Sequence, residues 1–269
     1  MRKRILTVLL ELLLGTWLAG VTGCATTGIN RYQPNLFTAE QERELGLRLS
    51  REMEKKLTLF GNKEVADYVS RVGQALARVS DWPGLPFHFN VVDDTAQVNA
   101  FALPGGYVYV YTGLLKAAEN EAELAGVLGH EIAHVTARHA TERLTLMYGY
   151  DAALKLLLGE DRSEIVQLAA NLFATGGLLA YSRKNELEAD RLGLRYTVKA
   201  GYDPHGFLTF LQKLRRLRRR EPARLEIWFS THPATRERIV RVQQQIEKMR
   251  GTDGKVGSAP YRRIRALIP

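Results

Sequence analysis

Residues 130 to 134 read His130-Glu131-Ile132-Ala133-His134, inside a run of small and apolar residues from Ala122 to Ala137. The run predicts a helix. At ~100° per residue, positions four apart fall on one helix face, so His130 and His134 can point the same way and hold one metal ion. Glu131 is offset by roughly a quarter turn, beside the metal rather than on it. Two neutral imidazoles as ligands, with a carboxylate near enough to take a proton from water, is the arrangement of a zinc hydrolase. Alone, the pentapeptide also fits an ordinary helix carrying two histidines on a semi-buried face. A third ligand must therefore come from elsewhere in the chain.

The 269 residues are 45% hydrophobic, enough for a real core in one large domain or two small ones. The net charge of +9 includes +2 from Arg2, Lys3 and Arg4 against Glu11, which leaves +7 for the remainder. Such a charge favours anionic partners. However, there is no zinc-finger or RNA-binding motif and no basic stretch interleaved with aromatics, so nucleic acid is not an expected partner. The single cysteine, Cys24, excludes an internal disulfide and a cysteine-based metal site.

Residues 1–23 begin Met1-Arg2-Lys3-Arg4, continue through an apolar stretch from Ile5 to Leu18 and end in small residues before Cys24, the pattern of a secretory signal peptide. Val21-Thr22-Gly23-Cys24 resembles the bacterial lipoprotein processing box, which implies a lipidated Cys24 at the mature N-terminus. Ala25 rather than Asp follows it, which in Gram-negative lipoproteins accompanies sorting to the outer membrane. Residues 24–37 are polar and turn-rich, a tether, and a domain is expected over 38–250. Thr38 with Gln41 forms a capping box for a helix running through Leu45, Leu49 and Met53. Asn62 can cap a second helix with Val65, Val69, Val72, Leu76 and Val79 on one face.

After Trp82-Pro83-Gly84-Leu85-Pro86, residues Phe87, Phe89 and Val91 alternate with His88 and Asn90, as in a half-buried strand. Gln97 to Leu103 and Tyr107 to Tyr111 read as two further strands joined through Pro104-Gly105-Gly106, which suits a type II turn. A small antiparallel sheet is expected next to the pentapeptide helix. The three tyrosines share one of its faces, Val108 and Val110 the other. Glu119-Asn120-Glu121 supply capping and acidic residues at the start of the metal-binding helix. His139, nine positions after His130, falls about 180° around that helix and is expected on the surface. The apolar runs 144–158 and 165–180 are each shorter than the ~20 residues of a membrane span; they fit buried helices or a hairpin dipping into a bilayer.

Tyr181 to Asp190 supply what the pentapeptide lacks. Glu186 and Asp190 stand one helical turn apart and can both face inward, Glu186 as third zinc ligand and Asp190 as acceptor for a ligand histidine N–H. Glu188 lies about 160° from both and is expected to face solvent. Four ordered motifs now stand together: Asn99-Ala100-Phe101-Ala102-Leu103-Pro104-Gly105-Gly106, His130 to His134, Ser182-Arg183 with Glu186 through Asp190, and His232-Pro233. Together they resemble the zinc metallopeptidase family of the CAAX prenyl protease and HtpX, nearest its periplasmic BepA-like branch, over roughly Thr38 to Lys248. The tetratricopeptide extension of that branch and the transmembrane helices of the others are missing.

The resemblance implies an α+β, mainly helical fold with a gluzincin site of one Zn2+ per chain, held by His130, His134 and Glu186, with Glu131 as catalytic base. Glu186 lies 52 residues beyond His134, a compatible spacing. The strand of Asn99, Ala100, Phe101 and Ala102 would border the cleft and pair with extended substrate. His232 would approach the metal, either stabilising the oxyanion or acting as a reversible fourth ligand. The implied protein is an endopeptidase at the periplasmic face of the outer membrane, attached through Cys24. It would act on misfolded or unassembled envelope proteins, with outer-membrane assembly machinery as a further candidate partner. The competing expectation is a non-catalytic zinc-containing assembly factor or holdase. Leu214 to Arg220 form a basic helix end, suited to solvent or to anionic headgroups, and 251–269 are expected as a poorly ordered basic tail.

Overall fold

The computed structural model describes residues 35–147, 181–232, 236–250 and 252–269. The expected signal peptide, Cys24 and most of the expected tether lie outside the described residues, as do the apolar runs beyond residue 147. Among the described residues no helix is long and apolar enough to cross a membrane.

Helix α1 (Ala39–Glu54) starts at the expected capping box: the Gln41 amide donates to Thr38 Oγ1 at 3.2 Å, and the Thr38 amide to Gln41 Oε1 at 2.7 Å. The Asn62 side chain caps α2 (Lys63–Arg78) by accepting from the Val65 amide, and Val65, Val69, Val72 and Leu76 are fully buried. Strands β1 (His88–Val92), β2 (Ala100–Leu103) and β3 (Tyr107–Tyr111) form one sheet in the order β1-β3-β2. The β2–β3 pair is antiparallel and turns at Pro104–Gly106, where Gly105 takes φ 73°, ψ 8°, the left-handed conformation a type II turn requires.

The sheet as a whole is mixed rather than antiparallel, because β1 pairs with β3 in parallel. β2 occupies one side of β3 and leaves β1 the other, where it runs in the same direction as β3. The sheet separates two apolar clusters. Val108 and Val110 face α2 and the helices behind it, whereas Tyr109 and Tyr111 pack with Phe101 and with Leu45, Leu49 and Met53 of α1. The strand tyrosines are therefore packing residues.

After the short α3 (Thr112–Ala117) comes α4 (Glu121–Thr136), capped by Asn120 and buried along its whole length. Its first turn is also where the C-terminus docks. Glu121 is buried, accepts the hydroxyls of Tyr68 and Tyr202, and pairs with Lys255 Nζ at 2.5 Å. Helices α5 (Arg183–Lys199) and α6 (His205–Arg220) then pack on α4, α7 (Glu226–Thr231) follows, and α8 (Arg236–Lys248) packs on α5 and α6.

The crossing of α4 on α5 is backbone against backbone. A Cβ on Gly193 would stand 2.8 Å from the His130 nitrogen, and one on Gly129 would stand 2.9 Å from the Gly193 carbonyl. This close approach lets side chains of the two helices meet at one point.

The expected disordered tail is instead ordered. Residues Ser258–Arg265 form α9, whose Tyr261 is buried and donates its hydroxyl to the Leu115 carbonyl at 2.8 Å. Tyr261, Ile264 and Ile268 make an apolar stripe at helical spacing that the surrounding arginines conceal in composition.

Candidate metal centre

His130, His134, Glu186 and His232 bring four ligand atoms within 4.8 Å of one another, all buried. His130 Nε2 lies 3.1 Å from His134 Nε2 and 3.4 Å from His232 Nδ1. Glu186 Oε1 lies 3.3 Å from His134 Nε2 and 2.9 Å from His232 Nδ1. Zinc bonds of ~2.0–2.1 Å to N and O in a tetrahedron require donors ~3.3–3.4 Å apart. The four atoms therefore fit one zinc ion by separation and by chemistry. His130 and His134 come from one face of α4 and Glu186 from α5, as predicted. His232 arrives at the end of α7, where its amide is held by the Trp228 carbonyl at 2.7 Å.

The electrostatics suit metal binding. Burial holds the pKa of His130 below, and that of His134 well below, the usual imidazole value, which keeps both neutral and able to donate a lone pair. Burial alone would raise Glu186, but Arg238 and His232 outweigh it and hold the carboxyl well below its ordinary range. Burial also works to lower His232, yet the neighbouring Glu186 and Glu131 carboxylates raise it.

Glu131 stands beside the cluster rather than in it. Burial pushes its carboxyl up to about 7, partly countered by His232, and the Ala102 amide of β2 hydrogen-bonds it. Its Oε1 is buried without a hydrogen-bond partner, 3.7 Å from His232 Nε2.

The ligands are braced from behind. Asp190 Oδ1 lies 3.0 Å from His130 Nδ1, where the sequence places it. Arg238, which the sequence reading missed, is buried on α8 and grips Asp190 with Nε at 2.8 Å and Nη2 at 2.6 Å, while Nη1 meets Glu186 Oε2 at 2.5 Å. In sequence it is one more arginine on a basic amphipathic helix. Only the surplus of buried carboxylate in the site signals a cation.

Two expectations are corrected. His139 is buried, not on the surface, and its Nδ1 lies 2.9 Å from His134 Nδ1. Nine positions span half a turn only on one unbroken helix, whereas α4 stops at Thr136 and Arg138 takes φ 60° before a new helical run, residues 139–147. Glu188 turns partly inward, its side chain 13% exposed and Oε2 3.4 Å from His139 Nε2. Asn99 and, on the edge strand β2, Ala100 to Ala102 are all buried, and the Ala102 amide hydrogen-bonds Glu131.

Residues 63–246 match the model of Peptidase family M48. Curated relatives include the beta-barrel assembly-enhancing protease of Escherichia coli, 29% identical over 78% of this chain and 45% of that protein. The mitochondrial metalloendopeptidase OMA1 of Schizosaccharomyces pombe is 34% identical over 66% of this chain and 52% of its own length. Metalloprotease YcaL of E. coli is 28% identical over 88% of this chain and 96% of its own. The chain spans about half the length of the first two.

Proposed function

We propose, from the premise that the chain belongs to peptidase family M48, that it is a zinc metalloprotease and, more narrowly, a lipid-anchored periplasmic endopeptidase. Its proposed substrates are misfolded or unassembled envelope proteins. Attachment to the outer membrane through Cys24 rests on the lipoprotein-like box, and the substrate class on the similarity to the beta-barrel assembly-enhancing protease.

The observation that carries the catalytic reading is Glu131: a buried carboxylate with one unpartnered oxygen, beside a four-donor cluster. A purely structural zinc, closed by four protein ligands, has no use for such a group. That closure is the feature favouring the assembly-factor reading, and Glu131 is what speaks against it.

His130, His134 and Glu186 would hold the zinc, which when bound would supply Lewis-acid polarisation of water and of the scissile carbonyl. Glu131 takes the proton of the attacking water and passes it to the leaving amine. The Ala102 amide fixes the orientation of Glu131, and Arg238 keeps Glu186 and Asp190 charged in a buried site. An extended segment would pair along β2, the edge strand of the sheet, where alternate residues of the Asn99 to Ala102 stretch would meet it. His232 guards the centre as a reversible fourth donor and gives way when substrate enters; its Nδ1, 2.9 Å from Glu186 Oε1, supports that role.

The test is cleavage of an unfolded outer-membrane protein and of its folded form by the zinc-loaded chain and by His232→Ala. Cleavage of the unfolded form alone, faster in His232→Ala, is expected. No cleavage by either would sink the proposal. For the anchor, Cys24→Ser is expected to release the chain from membranes, and unchanged membrane association would count against lipidation.

A further inference from the structure

The two α4 histidines differ in what stands behind them. His130 Nδ1 faces a carboxylate directly, Asp190 at 3.0 Å. His134 Nδ1 faces another imidazole, His139 Nδ1 at 2.9 Å, and the far nitrogen of that ring, Nε2, lies 3.4 Å from Glu188 Oε2. We infer that His139 and Glu188 form a positioning relay that holds His134 as a metal ligand, an imidazole interposed where the His130 side uses a carboxylate alone. The inference rests on the metal-site reading above and deepens it.

Proton positions follow from donor and acceptor count. A His134 that gives its Nε2 lone pair to a metal carries its hydrogen on Nδ1. That N–H must donate, so His139 Nδ1 must accept, which puts the His139 hydrogen on Nε2. Nε2–H then points to a carboxylate that can only accept, Glu188. Every link has one donor and one acceptor, and the chain of bonds ends on a negative charge. With the His139 tautomer reversed, two N–H groups would collide at 2.9 Å and the Nε2 lone pair would face the carboxylate. The relay thus selects the ligating tautomer of His134 from outside the cluster. Its components are buried or nearly so: His139 is 1% exposed, and Tyr181 stacks on His134 with ring centroids 4.0 Å apart.

The fold builds this arm deliberately. Arg138, held at φ 60°, donates from Nε to Glu42 Oε2 at 2.6 Å and from Nη2 to the Phe37 carbonyl. This clasp fixes the break after α4 that swings His139 back over His134. On the outer side, Arg191 Nη2 lies 3.3 Å from Glu188 Oε1 and steadies the last member.

The experiment is cobalt(II) titration of the full chain against a competing chelator, with the visible absorption band recorded. It compares wild type, His139→Leu and His139→Asn, and thermal unfolding of each metal-free chain checks the fold. His139→Leu removes the acceptor and should weaken cobalt binding by ~10–100-fold and shift the band. His139→Asn restores an acceptor oxygen near the Nδ1 position and should recover most of that loss. Wild-type affinity and spectrum in His139→Leu, or equal weakness in the two folded variants, would overturn the relay. Should His139→Leu fail to fold, Glu188→Ala leaves His139 in place and is expected to weaken binding by a smaller, several-fold factor; unchanged affinity there overturns the outer link. Failure of the wild type to take up cobalt would overturn the metal-site reading itself, so the two failures are separable.

Discussion

His130 and His134 sit four residues apart on one helix, turn the same ring nitrogen, Nε2, toward each other in the candidate metal centre, and are braced by opposite strategies. Behind His130 stands a fully charged, buried network in which Asp190 is gripped by Arg238, which also holds Glu186. Behind His134 stands a second imidazole, with its carboxylate one step further out and partly exposed. A directly opposed carboxylate adds negative charge next to a metal and needs a cation to balance it in a dry interior. The imidazole arm orients its ligand with little added charge. With Glu131 and Glu186 already buried at the site, a further unbalanced carboxylate behind His134 would be costly.

This difference can be broken from either side. The largest effect is expected from Arg238→Ala, which strands Asp190 and Glu186 without their counter-charge and should cost about 3–5 kcal/mol of folding stability. Chemical unfolding of the metal-free chain measures it, and a loss below about 1 kcal/mol would show that the carboxylates find another partner. Next comes Asp190→Asn, which keeps the shape but removes the charge that His130 and Arg238 share. Zinc affinity should fall ~10–100-fold in a chelator competition, and an unchanged affinity would detach the charged arm from metal binding.

The smallest effect belongs to the outer support of the other arm. Glu42→Ala removes the acceptor of the Arg138 clasp and should cost about 1–3 kcal/mol, with a modest loss of zinc affinity. If Glu42→Ala weakened zinc as much as Asp190→Asn does, the two arms would not differ in the way described.

The same contrast separates what the sequence discloses from what it conceals. The His130 arm is legible because its parts obey regular helical spacing: His130 with His134, Glu186 with Asp190, each pair one turn apart on an unbroken helix. The capping residues Thr38, Asn62 and Asn120 and the turn at Gly105 are equally local and equally readable.

The His134 arm is not legible, because it depends on a single left-handed arginine. Arg138 carries no signal of that conformation in its own type; the stabilising contact comes from Glu42, 96 residues away. Arg238 is hidden for a related reason, since a buried arginine and a surface one look alike until the buried acids opposite it are placed. The α9 stripe fails to show because four cations of the 251–269 segment outweigh its three apolar residues in composition. The parallel pairing of β1 escapes because the alternation that marks a strand does not specify its neighbour.

The proposed reaction depends most heavily on Glu131 as the proton carrier of a zinc peptidase. The direct measurement is cleavage of an unfolded protein by wild type and Glu131→Gln at matched zinc content, one ion per chain in each. Glu131→Gln is expected to keep its zinc and its fold while cleaving ~10²–10⁴-fold more slowly. Equal cleavage by the two zinc-loaded proteins would contradict the account.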